Sequence, residues 1–427
     1  SLPVHRDEVR LTYAGAYIAP VIVEESMSAL PKSEDFSTVG YDEAIARANR
    51  LVPMLREEAP KCDESRRLTP RVMDALHASG LLRALQPKVW GGMELPFVAY
   101  YDIPEVLARG DMSTAWVYAN LASHHRNLAW WPAKGQEDVW SVNPDAGIAS
   151  GIAFPQGKGR RVDNGVILTG EWNFSSGTDH SEWSMLACIV REGDQPLDWV
   201  YCLVHRDDYE VIDDWHVLGM RATGSKTVRC SELFVPEHRV LSMHVANPKH
   251  AWPGLEVNRN LHYRIPTSAL GGYCLGGCMV GNARHALELS IEIVKARSTS
   301  YTNARMRDFQ MVQMRVSMAG AKIDAAHLVL RNDVLGAQSL YENGGKLDVE
   351  TRLRYKRNCA LAAHWCLEAV ETLQEMAGAN GIYDHMPLQR MFRDARAATG
   401  HFSFSIDAQL PPWGLAVLGG EINAPTL

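Results

Sequence analysis

The sequence predicts a mainly α protein with a central β domain. Apolar residues show helix-type spacing up to about residue 145, strand-like segments follow, and long helix-type stretches fill the last part of the chain. At 427 residues the chain exceeds the size at which a single core usually keeps growing, so several domains are expected. The predicted units are an N-terminal leader at 1–38, a helical domain at 39–145, a β domain at 146–247 and a C-terminal helical bundle at 248–427.

Helical signals dominate the predicted unit at 39–145. Ala44 and Ala48 open a series of apolar residues at three- and four-residue spacing, which indicates an amphipathic helix. Thr69 followed by Pro70 predicts the start of a second helix, and Gly80 predicts its end. Residues 1–38 show no pattern that indicates a chemical role.

The middle of the chain changes to alternating apolar and polar residues, separated by turn-formers such as Asn164-Gly165. Four segments show this pattern: 166–174, 184–192, 198–206 and 227–236. We expect a small antiparallel barrel or sandwich of roughly a hundred residues.

Helix-type spacing then returns and continues to the end of the chain. Four stretches have the lengths of bundle helices: 266–297, 307–342, 348–378 and 386–410. A four-helix bundle is the expected arrangement.

Charge and composition exclude several classes of function. A net charge of −7 gives no reason to expect nucleic acid or an anionic membrane as a partner. No stretch approaches the ~20 apolar residues of a membrane span, and the N-terminal residues lack the pattern of a secretion signal. The eight cysteines form no C-x-x-C pair, so we expect no metal site but buried free thiols in a cytoplasmic protein.

The most informative stretch is WNFSSGTDHSEW at 172–183. It predicts a strand that runs into a turn, where Ser175, Ser176 and Gly177 allow close approach of a ligand. Trp172 nearby supplies flat apolar surface of the kind that a large aromatic cofactor needs. In the alternative interpretation, the tryptophans fill a barrel core and the serines cap a turn.

Three further segments resemble the acyl-CoA dehydrogenase superfamily. They are GMRATGSKTVRCSELFVPEHRVL at 219–241, Arg297 followed by RDFQMVQMRVSMAGAKIDAA, and GIYDHMPLQRMFRDARA at 381–397. The resemblance covers about residues 40–415. It implies an acyl-CoA dehydrogenase-like fold, with an N-terminal helical domain, a β-barrel middle domain and a C-terminal four-helix bundle.

The chain departs from true acyl-CoA dehydrogenases at two places. The position where most of them carry a carboxylate base holds ATGHFSFSID, which contains His401, and WNFSSG replaces the usual flavin-wrapping turn. Both changes resemble the two-component flavin-dependent monooxygenases of group D. This group includes the oxygenase components of 4-hydroxyphenylacetate hydroxylase and of steroid-degrading phenol hydroxylases.

That resemblance implies an oxygenase component that receives FMNH2 or FADH2 from a separate NAD(P)H:flavin reductase. With O2 as co-substrate, a C4a-hydroperoxyflavin would hydroxylate a phenolic or related small aromatic substrate. The chain carries no G-x-G-x-x-G after a strand, which agrees with reduction of the flavin elsewhere. The resemblance also implies a homo-oligomer, with a tetramer as the usual form.

The resemblance assigns roles to individual residues. His124 and Ser150 would bind the substrate phenol beside Trp116, Ser175 would bond flavin N5, and His401 would support the hydroperoxide. The other expected cofactor-binding residues are Trp172, Ser176, Gly177, Thr223 and Ser225, with Arg297, Phe309 and Gln310 reaching across a subunit interface.

Several alternatives stay open at this stage. The same chemistry could act on sulfur, on nitrogen or on a polyketide ring. A flavin dehydrogenase or oxidase would need a carboxylate base, for which Glu171, Asp179 and Asp384 are the candidates. His124 could also be a core histidine and Ser150 a residue that merely opens a strand, and Arg297 and Gln310 could be exposed helix-end groups.

Overall fold

The computed structural model describes residues 34–193, 195–243, 252–299 and 302–422. Most of the predicted leader therefore lies outside the described residues. From Glu34 onward the chain belongs to one compact unit. Phe36 is already buried, and the guanidinium groups of Arg47 and Arg83 lie 5.7 and 5.3 Å from the centre of its ring.

The first region folds as helices, as predicted. They are α1 (Tyr41–Ser65), α2 (Pro70–Ser79), α3 (Ala99–Ala108), α4 (Met112–Leu128) and α5 (Ala133–Trp140). The α2 helix begins and ends where expected: the Thr69 side chain accepts a hydrogen bond from the N–H of Val72, and Gly80 ends the helix with φ of 70°. Asp111 caps α4 by accepting the N–H of Thr114 at 2.8 Å.

The central region forms one eight-stranded sheet. Its strands are β1 (Ile148–Gly151), β2 (Gly157–Val162), β3 (Gly165–Ser175), β4 (Trp183–Glu192), β5 (Gln195–His205), β6 (Glu210–Ile212), β7 (Lys226–Pro236) and β8 (Val240–Ser242). They lie in the order β6-β7-β3-β2-β4-β5-β8, with β1 also paired to β4. The sheet is mixed and not purely antiparallel as predicted, because β1 and β2 both run parallel to β4.

A loop separates β1 from β2, although both strands pair with β4. Gly151 pairs with Leu186 and Gly157 pairs with Cys188, so only Ala187 of β4 lies between the two pairings. Residues 152–156 therefore leave the line of the strand and bulge out of the sheet. The local sequence gave no indication of this interruption.

The last region is a helical bundle. Its helices are α6 (Thr267–Leu270), α7 (Tyr273–Ala296), α8 (Gln310–Glu342), α9 (Val349–Ala377), α10 (Pro387–Ala398) and α11 (Ile406–Val417). Among the described residues, no helix is long and apolar enough to cross a bilayer.

The predicted helical stretch 386–410 is in fact two helices. The α10 helix ends just before Gly400, and Ser405 caps α11 by accepting the N–H of Ala408. His401 consequently lies in the connection between two helices. The direction of its side chain is therefore set by tertiary contacts and not by helical periodicity.

Trp172 belongs to the interior of the sheet, which corrects its predicted contact with a cofactor. Its side chain has no exposed surface, and its indole N–H donates to the carbonyl of Ala187 at 2.7 Å. Gly151 and Gly157 lie so close to the ring that a Cβ at either position would collide with it. The core interpretation of this tryptophan is therefore the right one, and no face of the ring is open to a ligand.

We predict that Trp172→Phe lowers the free energy of unfolding by about 2 kcal/mol, because it removes buried volume and leaves the Ala187 carbonyl without its donor. Urea unfolding monitored by circular dichroism measures the loss. Trp199→Phe is the matched control, since the buried indole N–H of Trp199 has no hydrogen-bond partner. Equal losses in the two variants would contradict the role given to the Trp172 hydrogen bond.

Candidate active site

His124 connects the N-terminal helices to the sheet. It lies on α4 with 3% of its surface exposed, and its Nδ1 is 2.7 Å from the carbonyl oxygen of Ile148 in β1. A carbonyl only accepts hydrogen bonds, so Nδ1 carries the proton and Nε2 of the neutral ring is an acceptor. Burial lowers the pKa of His124 to about 4, which keeps the ring neutral at pH 7.

Ser150 lies two residues beyond Ile148 on the same strand and is half-buried. Side chains two apart in a strand point to the same face of the sheet. The two predicted phenol-binding residues, His124 and Ser150, thus lie on two elements, α4 and β1, that the His124 hydrogen bond joins.

His401 has the opposite pattern of hydrogen bonds. Its Nδ1 accepts the backbone N–H of Ser403 at 3.2 Å, so in the neutral ring Nε2 carries the proton and is a donor. Burial of the ring lowers its pKa to about 4, although the residue keeps some exposed surface. The two predicted histidines therefore offer one acceptor and one donor nitrogen at neutral pH.

The connection that carries His401 is anchored on two sides. The ring of His364 on α9 bonds the carbonyl of Phe404 at 3.1 Å, and the Gln409 amide of α11 donates to the carbonyl of Phe402 at 2.9 Å. These contacts hold the backbone on either side of His401 and so fix where its ring can point.

Trp116 of α4 packs against the His401 ring. The ring centres are 5.6 Å apart in an edge-on arrangement, and Phe404 completes the group at 6.2 Å from Trp116. Trp116 is 6% exposed and Phe404 is fully buried. His124 lies about 12 Å further along the α4 axis than Trp116, so one helix carries residues of both histidine groups.

The serine turn begins at the end of β3, where Phe174 has φ of 64° and 70% exposure. Such a φ is unfavourable for a large side chain, and the pairing of β3 with β7 changes register between Trp172 and Ser175. Ser175 is fully buried, and its hydroxyl has no hydrogen-bond partner among the described residues. The irregular backbone thus turns an aromatic ring outward and leaves a buried hydroxyl free to bond a ligand.

The other serine of the turn belongs to a chain of hydroxyl groups. The Oγ atoms of Ser176 and Ser225 are 2.8 Å apart, Thr223 lies 2.6 Å from Ser225, and Thr223 donates to the carbonyl of Met220 at 2.8 Å. The N–H of Gly177 donates to the Thr223 carbonyl at 2.9 Å. The structure therefore brings together the WNFSSG and GMRATGS segments. The hydroxyls of Ser176, Ser225 and Thr223 already have hydrogen-bond partners within the protein, unlike that of Ser175.

Asp394 is a positioning residue that the sequence analysis did not identify. Its carboxylate accepts the N–H of Met220 at 2.6 Å, and the neighbouring Arg393 donates to the carbonyl of Leu218 at 2.9 Å. Burial, together with the nearby charge of Asp111, raises the pKa of Asp394 to about 7. Arg393 and Asp394 of α10 thereby hold the loop that carries Thr223 and Ser225. The spacing of these residues along the chain does not reveal this contact.

The residues predicted to reach another subunit lie apart from the serine turn. Arg297 donates to the carbonyl of Ala377 at 3.1 Å, while Phe309 and Gln310 are exposed at the start of α8. No described contact within one chain joins these three residues to Ser175. Their role at an interface remains a prediction.

Of the three carboxylates considered for a dehydrogenase base, two are paired with cations and the third is exposed. Glu171 pairs with Arg229 at 2.6 Å and Asp179 pairs with Lys226 at 2.8 Å, while Asp384 is exposed. A general base needs a free carboxylate in the site, so these positions disfavour the dehydrogenase alternative.

The geometry suits a flat, polar heteroaromatic group and a hydroxylated ring. Ser175 offers a buried hydroxyl without a partner, His401 offers a neutral donor and His124 a neutral acceptor. A buried hydroxyl and a neutral ring donor are groups that can bond the polar ring atoms of a flavin, and a neutral ring acceptor can bond an O–H group.

Known proteins resemble this chain in both sequence and fold. Residues 273–406 match the family model "Acyl-CoA dehydrogenase, C-terminal domain". The chain is 35% identical to the flavin-dependent monooxygenase oxygenase subunit HsaA of Rhodococcus jostii (strain RHA1), over 84% of this chain and 93% of that protein. It is 32% identical to the oxygenase component of the FADH(2)-dependent resorcinol hydroxylase of Rhizobium sp. (strain MTP-10005), over 88% and 94% of the two chains. The crystal structure of 3-HSA hydroxylase from Rhodococcus sp. RHA1 superposes with a TM-score of 0.85 at 33% identity, over 90% and 99% of the chains.

We predict that His124→Gln weakens the pH dependence of stability below neutrality. The folded-state pKa of about 4 lies below the ordinary value of 6.5, so the contribution is complete above pH 6.5 and is lost as the pH falls toward 4. Between pH 7.5 and 5.0 the wild type should lose about 2 kcal/mol more unfolding free energy than the variant.

Urea unfolding at these two pH values measures the difference. Ser150→Ala changes a neighbouring group that does not titrate, and it should keep the wild-type pH dependence. An unchanged pH dependence in His124→Gln would show that His124 is not held neutral by burial.

Proposed function

The chain belongs to the oxygenase components of flavin-dependent monooxygenases, and from this membership we propose that it hydroxylates a phenolic or related aromatic substrate. Relatives in this family include a resorcinol hydroxylase and a hydroxyphenylacetate hydroxylase. The observation that carries the proposal is the pair of neutral histidines, one with an acceptor nitrogen and one with a donor nitrogen.

The cofactor of the proposed reaction is reduced flavin, with O2 as co-substrate. When bound, reduced flavin supplies two electrons, so that one oxygen atom of O2 enters the acceptor and the other leaves as water. The buried and unpartnered hydroxyl of Ser175 is suited to bond a flavin ring nitrogen. The nearby hydroxyls of Ser176, Ser225 and Thr223 already bond one another, which supports Ser175 as the hydroxyl that bonds the flavin.

In the proposed reaction, His124 acts on the phenol and His401 acts on the flavin side of the site. Nε2 of His124 accepts a hydrogen bond from the phenol O–H, and sharing this proton makes the phenol ring more electron-rich, while Ser150 orients the oxygen. Nε2–H of His401 donates to oxygen on the flavin side of the site. Trp116 and Phe404 pack around His401 and hold its ring in place.

The same contacts favour a phenol over a thioether. A thioether sulfur carries no proton for the acceptor nitrogen of His124, so it cannot form the hydrogen bond that a phenol O–H provides. An acceptor with an O–H or N–H group forms this bond.

Reduced flavin must come from elsewhere, and we propose a separate NAD(P)H:flavin reductase as the transient partner. We also propose a cytoplasmic location. All eight cysteines are buried and unpaired, which suits a reducing compartment.

The outer face of α8 supports a homo-oligomer, which we propose to be a tetramer. This face carries exposed apolar or small residues, here called the α8 seam, at alternating three- and four-residue spacing as far as Leu328 and then two turns further on: Met311, Met314, Met318, Ala321, Ala325, Leu328 and Leu335. The opposite face of the helix is buried in the bundle, for example at Ile323 and Leu330. A helix that is apolar on both faces is usually covered on both, so a second copy on the seam would lie beside Phe309 and Gln310.

Hydroxylation is tested by mixing the protein with chemically reduced flavin, air-saturated buffer and phenol, and by measuring catechol and H2O2. The wild type should form catechol. Ser175→Ala should divert several-fold more oxygen to H2O2, because the flavin loses a positioned donor. Ser290→Ala, which removes another buried hydroxyl without a partner, is the matched control and should stay coupled. Absence of any oxygenated product from the wild type, across phenols, thioethers and amines, would remove the proposed function.

For the assembly, we predict that Met314→Glu together with Met318→Glu reduces the molar mass in solution, since two charges would be buried in the α8 seam. Light scattering after size-exclusion chromatography gives the mass. Val142→Glu places the same charge on a residue that is 68% exposed outside the seam, and it should leave the assembly intact. A wild-type mass equal to one chain would refute the oligomer.

A further inference from the structure

Two exposed phenylalanines from distant parts of the chain meet in space. Phe154 lies in the 152–156 loop between β1 and β2, and Phe402 follows His401 in the connection between α10 and α11. Their ring centres are 5.2 Å apart with an interplanar angle of 74°. Phe154 is 50% and Phe402 is 45% exposed, so about half of each residue's surface remains open to water. We call these two residues the aromatic pair.

The aromatic pair is close in sequence to the two candidate site residues that keep partial exposure. His124, Ser175 and Trp116 are buried, whereas Ser150 and His401 keep partial exposure. Phe154 is four residues from Ser150, and Phe402 is the direct neighbour of His401. The residues of the site that keep exposure are therefore the ones that the aromatic pair adjoins along the chain.

The backbone of each phenylalanine is held in place. The carbonyl of Phe154 accepts the N–H of Gln156 at 2.9 Å within the bulged loop, and the carbonyl of Phe402 accepts the Gln409 amide at 2.9 Å. Single exposed phenylalanines are common on protein surfaces and need no explanation. Two anchored rings that meet beside a site, one from the sheet and one from the bundle, form apolar surface in a defined position.

Further aromatic rings surround His401, the residue that precedes Phe402. The centre of the His401 ring lies 5.6 Å from that of Trp116 and 5.8 Å from that of Phe404. The aromatic pair thus follows directly on a histidine that is itself packed among aromatic rings. Flat apolar groups gain both buried area and favourable edge contacts along such a surface.

We propose that the aromatic pair is a second subsite, which holds the part of the acceptor that lies beyond the hydroxylated ring. This inference rests on the proposed function for the position of that ring. The substrate class it selects is a phenol that bears a second planar apolar group, as in a biaryl or a fused-ring phenol. A single-ring phenol reaches His124 but leaves the aromatic pair exposed.

The test compares phenol with 4-phenylphenol as probes. Dissociation constants come from equilibrium dialysis against the full-length protein, without turnover, for wild type, Phe154→Ala, Phe402→Ala and the milder Phe402→Leu. Each alanine variant should weaken 4-phenylphenol about tenfold and phenol less than twofold, since only the larger probe contacts the pair. Phe402→Leu should fall between, because it keeps apolar area but loses the ring.

Phe234→Ala is the matched control, since Phe234 is 49% exposed on β7, away from His401 and Ser150 in the fold, and it should change neither constant. Equal weakening of both probes, or no weakening of either, would overturn the subsite. A fall in molar mass in the alanine variants without a change in binding would identify the pair as a contact between copies and would also overturn it. Absence of any oxygenated product from the wild type would instead refute the proposed function, while the binding ratios would still decide the subsite.

Discussion

The hydrogen bond from His124 to the Ile148 carbonyl is the contact on which the organisation of the site depends. It joins α4 to β1, and it also decides which nitrogen of the imidazole remains an acceptor. Because the ring is buried and neutral, this nitrogen is available as a hydrogen-bond acceptor at pH 7. A single side chain therefore both joins α4 to β1 and decides which ring nitrogen can accept a hydrogen bond.

The remaining polar groups of the site differ in whether they have hydrogen-bond partners within the protein. Ser176, Ser225 and Thr223 bond one another, and Asp394 holds the loop that carries two of them. Ser175 is buried with no partner, next to a strained Phe174. Strain and a free hydroxyl at one turn are costs to the folded protein that binding of a ligand there can offset.

Much of the fold could be read from local patterns. Thr69 and Gly80 marked both ends of α2, and the four predicted strand segments correspond to β3, β4, β5 and β7. The shorter strands were missed, because three to six residues carry too little periodicity. Trp172 was misassigned because an aromatic residue beside a binding turn has the same local sequence whether its ring faces a ligand or the core.

By itself, the sequence determined the order of the three regions and the family, since periodicity and motif spacing are properties of neighbouring residues. Only the tertiary structure decided the tautomers of His124 and His401, the docking of the Met220 loop onto Asp394 and the meeting of Phe154 with Phe402. Each of these depends on hydrogen bonds or ring contacts between residues far apart in the chain. Their partners are set by how helices and strands pack, and no local pattern records that packing.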